Sequence, residues 1–70
     1  MITRGTKVLI DARVGGVLPR TAPGKVDVIY EPGAVGTCLR GITIGGEPDW
    51  YVLSVGPHEV TLHRSQFTLL

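Results

Sequence analysis

The fold of this chain is decided by residues 33–70, which read GAVGTCLRGITIGGEPDWYVLSVGPHEVTLHRSQFTLL. Three short apolar runs lie in this stretch, at residues 50–55, 60–62 and 67–70. Gly, Pro or short polar segments separate the runs, and none of the runs has the period of a helix. Runs of this kind indicate consecutive hairpins of a very small β-barrel.

The strongest predicted strand covers residues 50–55, where successive side chains alternate between the two faces of a sheet. A slip of one residue would exchange the two faces, so the assignment depends on the register. In the favoured register Tyr51, Leu53 and Val55 face the core, and Trp50, Val52 and Ser54 face outward.

Two more strands are predicted before this one. Residues 7–12 alternate apolar and polar side chains, except that Leu9 falls on the outer face and is therefore a candidate contact residue. Residues 35–44 form another apolar run, in which Gly36 and Gly41 indicate bulges or the sharp bends of a small barrel.

Turn residues complete the predicted topology. Residues 13–25 contain three glycines and two prolines, which predicts a long first loop with a turn at 21–24 that folds over one barrel end or moves freely. Residues 26–30 are β-branched and predict a short strand inside or after this loop, residues 45–49 predict a loop, and residues 64–66 fit one 3₁₀ turn before the last strand. The expected fold is all-β, a single five-stranded domain over residues 1–70.

Composition excludes several functions. The 70 residues are 43% hydrophobic and 19% charged, which is typical of a globular chain that leaves apolar surface exposed. The net charge of +1 and the scattered basic residues do not suit a strong non-specific nucleic-acid binder. No apolar run is long enough to cross a bilayer, so we expect no membrane partner and a cytoplasmic protein.

No cofactor, metal or catalytic site is expected. The single Cys38 and the two histidines do not make a zinc site, and the glycine pairs lack the lysine and helix of a phosphate cradle. His63, Ser65 and Asp49 are the residue types of a nucleophile relay, but no nucleophile elbow surrounds Ser65. Cys38 and His63 as a thiolate pair also lack a supporting pattern.

The motifs PGAVGT at 32–37, DWYVLSV at 49–55 and VTLHRSQFTLL at 60–70 resemble SH3-like barrels of bacterial and phage proteins, including small families of unknown function and the small electron-transfer-associated subunit of photosystem I. The resemblance covers about half of the chain and implies a fold much more than a function, because such barrels bind peptides, nucleic acids and subunits alike.

Two SH3-like families are less similar. SH3 domains that bind proline-rich peptides have an acidic first loop, whereas this loop carries Arg13 and Arg20. The plasmid-borne tetrameric dihydrofolate reductases carry Val-Gln-Ile-Tyr in their functional strand, where residues 60–63 here read Val-Thr-Leu-His. A relative of these reductases is therefore only a remote alternative.

The sequence therefore predicts a small non-enzymatic module that docks on a larger protein, such as an accessory protein of a phage or mobile element. The alternative is a weak nucleic-acid-binding barrel in which basic side chains lie beside an aromatic ring. A two-fold homodimer is also expected, through residues 26–30 or the last strand. The candidate partner-binding residues are Leu9, Arg40, Trp50, Val52, His63 and Arg64.

Overall fold

The computed structural model describes residues 2–18 and 26–70, and its regular structure there is almost entirely β-strand. The predicted turn at 21–24 lies outside the described residues. A 3₁₀ turn at Arg64–Gln66 separates the last two strands, as predicted. The strands are β1 (Lys7–Ile10), β2 (Val14–Gly16), β3 (Val28–Tyr30), β4 (Val35–Ile44), β5 (Glu47–Val55), β6 (His58–His63) and β7 (Phe67–Leu69).

Five strands form one antiparallel sheet in the order β6-β5-β4-β1-β7, and β2 pairs with β3 in a second sheet. The prediction of an all-β fold is confirmed, but the prediction of only five strands is wrong. Of the two further strands, β3 falls within the short strand predicted at 26–30, and β2 falls inside the predicted long loop. Two of its three residues, Gly15 and Gly16, are glycines. Because glycine is depleted in strands, the sequence did not predict a strand here.

The two sheets are joined by local links rather than by a continuous ladder. Val17 and Glu59 exchange backbone hydrogen bonds of 2.9 and 2.8 Å, which ties the end of β2 to β6. The Tyr30 hydroxyl on β3 donates to the Val55 carbonyl over 3.0 Å. It also lies 2.9 Å from Nδ1 of His58, which places β3 against the β5–β6 turn.

The β4–β5 connection is shorter than predicted. Only Gly45 and Gly46 form the turn, both with positive φ, and the rest of the predicted loop at 47–49 belongs to β5. The predicted irregularity of β4 is confirmed, but its register shifts fall between Cys38 and Arg40 and between Ile42 and Ile44 rather than at the glycines.

The core lies on one face of the main sheet. Tyr51 packs against this core, and Leu53 and Val55 belong to it, which confirms the predicted inward set of β5. No helix among residues 2–18 and 26–70 is long and apolar enough to cross a membrane. The buried cluster consists of Val8, Ile10, Cys38, Leu53, Val55, Val60, Leu62 and Phe67.

Candidate functional site

A row of three side chains crosses the outer face of the sheet at Trp50. The register pairs Trp50 with Ile42 on β4 and with His63 on β6, so the three residues lie side by side on neighbouring strands. The rings of Trp50 and His63 meet edge to face, with centroids 5.3 Å apart. All three residues are half-buried. We call Ile42, Trp50 and His63 the tryptophan row.

The indole nitrogen of Trp50 is the one buried side-chain polar atom without a hydrogen-bond partner among the described residues. Leaving a buried donor unpaired costs about 1–3 kcal/mol, because the group has lost its water and gained no acceptor. The tryptophan row therefore contains an unsatisfied donor on the outer face of the main sheet.

Val52 and Arg40 form the neighbouring row, where Val52 pairs with Arg40 on β4 and with Thr61 on β6. Arg40 is exposed. Val52 is only 5% exposed although it lies outside the main core cluster. Val52 therefore leaves little area for a partner, because alternation gives the face of a residue but not its burial.

Leu9 does not belong to this surface. Strand β1 lies between β4 and β7, and Leu9 pairs with Val35 on one side and with Thr68 on the other. On β4, Val35 is seven residues from Ile42, which is about 23 Å along a strand. The half-buried Leu9 is therefore too far from Trp50 for one small interface to include both residues.

Arg64 is engaged within the fold. Its Nη1 donates to the Phe67 carbonyl over 2.8 Å, and its guanidinium carbon lies 5.0 Å from the centroid of the Phe67 ring. These two contacts hold the start of β7 and leave the charge less available for a partner than the sequence suggested.

His63 begins the 3₁₀ turn and makes a reciprocal cap. The Ser65 N–H donates to Nδ1 of His63 over 3.3 Å, and the His63 N–H donates to Oε1 of Gln66 over 3.0 Å. Because a backbone N–H only donates, Nδ1 is the acceptor and a neutral ring carries its hydrogen on Nε2. That nitrogen faces Glu47, with 3.6 Å between Nε2 and Oε1.

Ser65, His63 and Glu47 thus include the residue types of a nucleophile relay, with Glu47 in the place expected for Asp49. The Ser65 hydroxyl lies 2.9 Å from Nδ1, but the backbone N–H of the same residue competes for that one lone pair. No cavity is present in the described part of the chain to hold a substrate beside Ser65. The arrangement is explained by capping, since the ring nitrogen satisfies a free N–H of the turn.

Cys38 is completely buried and pairs with Leu53 in the core. Burial raises the pKa of the Cys38 thiol above its ordinary value of 9.0 by desolvating the thiolate. The residue faces the core whereas His63 lies on the outer face, so the structure does not bring together the thiolate pair considered from the sequence.

Sequence reasoning missed two members of this surface, Ile42 and Glu47. Both become neighbours of Trp50 or His63 only through the β4–β5–β6 register, which the sequence alone does not give. Across residues 2–18 and 26–70, no three His, Cys, Asp or Glu side chains group as metal ligands.

The resemblance to SH3-like barrels rests on the sequence motifs at 32–37, 49–55 and 60–70. No protein-family model matches this chain, and no curated protein or solved structure matches it either.

Proposed function

We propose that this protein is a small non-enzymatic interaction module that docks on a larger protein through the tryptophan row. The observation that carries the proposal is the buried indole N–H of Trp50, which has no partner in the part of the chain that the structure describes. A partner carbonyl that accepts this hydrogen bond after a small movement of the ring would remove the desolvation cost. Tryptophan is also among the residue types that most often dominate the binding energy of an interface.

The surroundings of Trp50 suit a protein contact. Ile44, at the end of β4, is 43% exposed and extends the apolar surface beyond Ile42. Arg40 and Glu47 are exposed on the same two strands and supply charged groups at the rim. An apolar centre with a polar rim is the usual anatomy of a protein interface. An accessory role in a phage or mobile element remains part of this proposal.

We infer that the two sheets together make a small, partly open SH3-like barrel. The order β6-β5-β4-β1-β7 and the 3₁₀ turn between β6 and β7 support this assignment. The Val17–Glu59 bridge supports it as well, since it brings the second sheet onto the free side of β6. In such a barrel the tryptophan row lies on the outer wall.

The docking proposal is tested by quantitative pull-down from a host lysate with cross-linking and mass spectrometry. We expect Trp50→Ala to lower recovery of the specific partner at least about tenfold, because truncation of an anchor costs about 1.4 kcal/mol or more. Trp50→Phe keeps a ring without the N–H, so an intermediate loss would show that the hydrogen bond contributes.

The matched control is Val35→Ala, which removes apolar area from a residue that is 53% exposed on β4 but distant from Trp50. Recovery with this variant should equal that of the wild type. Near-ultraviolet circular dichroism establishes that each variant is folded. Equal recovery of every partner by a folded Trp50→Ala protein contradicts the proposal.

Weak nucleic-acid binding has less support from the geometry. Arg64 is held by Phe67, and the carboxylate of Glu47 lies beside His63, where a phosphate would have to approach. Titration with single-stranded and duplex oligonucleotides at low salt separates the two functions. Micromolar binding that Trp50→Ala abolishes would favour the nucleic-acid alternative.

A further inference from the structure

Strand β7 has one open edge. Among the described strands it pairs only with β1, through Val8↔Leu69, Leu9↔Thr68 and Ile10↔Phe67. An unpaired edge presents backbone N–H and C=O groups that can pair with another chain. Residues 67–70 themselves, Phe, Thr, Leu and Leu, carry no charged side chain, and the charged group beside them is the Arg64 guanidinium.

The flanking hydrogen bonds establish which groups face that edge. The Leu70 N–H donates to the Lys7 carbonyl, and the Asp11 N–H donates to the Gln66 carbonyl. In an antiparallel pair, residues alternate between bonding to the neighbour and pointing away from it. Thr68 therefore bonds to Leu9, and the backbone groups of Phe67 and Leu69 point to the open side.

The two outward groups of Leu69 have no partner in the described part of the chain. The Phe67 carbonyl accepts from Arg64, but a carbonyl oxygen has a second lone pair. The Phe67 N–H follows the 3₁₀ turn, whose i→i+3 hydrogen bonds use it. Both backbone groups of Leu69 and the second lone pair of the Phe67 carbonyl remain for a second strand. The side chain of Leu69 is 44% exposed, so apolar area is available beside them.

We propose that β7 pairs antiparallel with β7 of a second copy of this chain, about a two-fold axis at Thr68. This register places Phe67 of each copy opposite Leu69 of the other, so the Leu69 N–H of each copy donates to the Phe67 carbonyl of the other. The main sheets of the two copies become one continuous sheet. This dimer uses a different surface from the tryptophan row.

The charges favour β7 over the other open strand. Pairing β3 with its own copy about Ile29 would place Asp27 opposite the copy's Glu31, and like charges directly opposite each other destabilise a strand pair. The acidic residue that contacts β7 is Asp11, which accepts a hydrogen bond from Thr68. Asp11 lies on the β1 side of β7, away from the open edge. Three strand spacings, about 14 Å, would separate the two Asp11 residues, which exceeds the screening length of about 8 Å.

The interface is small. Two strands of this length bury well under the roughly 1,600 Å² of a standard interface, so we expect a dissociation constant between about 10 μM and 1 mM. The test is sedimentation equilibrium from 10 μM to beyond 1 mM, with amide hydrogen exchange at both limits. The average mass should rise from 7.5 kDa towards twice that value. Exchange of the Leu69 amide should slow about threefold or more at the higher concentration.

Leu69→Pro is the decisive variant, because it removes an N–H that points away from β1 and leaves the β1–β7 ladder intact. It should stay monomeric, whereas Leu69→Ile, which keeps the N–H, should dimerise like the wild type. If Leu69→Pro does not fold, Leu69→Lys is tested in its place, because a charge at the edge opposes strand pairing. Trp50→Ala should dimerise normally, which separates this proposal from the docking function.

Three results would overturn the proposal. The first is a wild-type mass of 7.5 kDa throughout the concentration range. The second is a dimer that both Leu69→Pro and Leu69→Lys leave intact. The third is a dimer that is lost in Ile29→Lys and kept in the Leu69 variants, which would assign the contact to β3 instead.

Discussion

Trp50 and Val52 show how two residues with the same strand parity acquire different roles. Both side chains lie on the outer face, but Val52 is almost fully buried, whereas Trp50 retains a polar group that has no partner among the described residues. A buried aliphatic side chain contributes to packing within the fold and has little accessible area for a partner to contact. An aromatic ring with an unsatisfied donor gains free energy when an acceptor arrives, so Trp50 is the better anchor.

Cys38 illustrates the opposite case, a reactive side chain that the fold makes inert. We predict that the native thiol reacts with a disulfide reagent at least about a hundredfold more slowly than the thiol of the unfolded chain, since reaction requires an opening of the core. The raised pKa of Cys38 also predicts a pH effect. The folded state holds this proton more tightly than the unfolded state, so the free energy of unfolding should fall as pH rises above about 9.

Both effects of Cys38 are measured with the same samples. Thiol labelling at pH 7 with and without denaturant gives the ratio of rates, and urea denaturation from pH 7 to pH 10 gives the stability. Because Tyr and Lys titrate in the same range, the matched variant is Cys38→Ala, whose stability should depend less on pH. Fast labelling of the native protein would show that Cys38 is accessible.

At the scale of elements, the sequence indicated the strands whose side chains form a recognisable pattern and missed β2. Strands β4 to β7 and the 3₁₀ turn were recognisable because β-branched and aromatic runs end at clear turn residues. Strand β2 was not, because glycine carries no side chain to show a pattern. Two of the three residues of the tryptophan row were predictable, since Trp50 and His63 were identified but Ile42 required the register.

Gly16 explains why β2 contains glycine. A Cβ at this position would lie 2.9 Å from Cε2 of Tyr30 and 3.1 Å from Cβ of His58. We therefore predict that Gly16→Ala pushes Tyr30 away and destabilises the fold by about 1–3 kcal/mol, the usual cost of overpacking. Gly41→Ala is the matched control, because its Cβ would meet Tyr51 at an ordinary 3.4 Å.

Urea denaturation of the two glycine variants gives the comparison. Gly41→Ala should stay within about 0.5 kcal/mol of the wild type, as expected for a substitution that touches no special feature. If Gly16→Ala were as stable as Gly41→Ala, the contact between β2, Tyr30 and His58 would not be tight in solution.

For the whole molecule, stability is distributed unevenly between the two sheets. The main sheet contains most of the buried core, whereas the β2–β3 sheet contributes Val14 and Tyr30, which only pack against it. The second sheet is joined to the first by the Val17–Glu59 bridge and by the hydrogen bonds of Tyr30. Elements with few buried apolar contacts open at lower free energy than the core, so β2 and β3 should open first.

Tyr30→Phe tests this order of opening. The single hydroxyl hydrogen is donated to the Val55 carbonyl, so Nδ1 of His58 donates to the tyrosine oxygen, and the substitution removes both bonds. We predict a global loss of about 1 kcal/mol and, in β2 and β3, amide exchange faster by about tenfold. Exchange of the amides in the centre of β4 and β5 should accelerate only by the factor that corresponds to the global loss of stability.

The matched control for Tyr30→Phe is Tyr51→Phe. The Tyr51 ring packs edge to face on Phe67 with centroids 5.7 Å apart, and its hydroxyl makes no hydrogen bond among the described residues. Removing that hydroxyl should change neither the stability nor the exchange pattern. Equal acceleration of every strand by Tyr30→Phe would mean that the two sheets open together, as a closed barrel would, and the hydroxyl would then stabilise the whole fold rather than the attachment of β3.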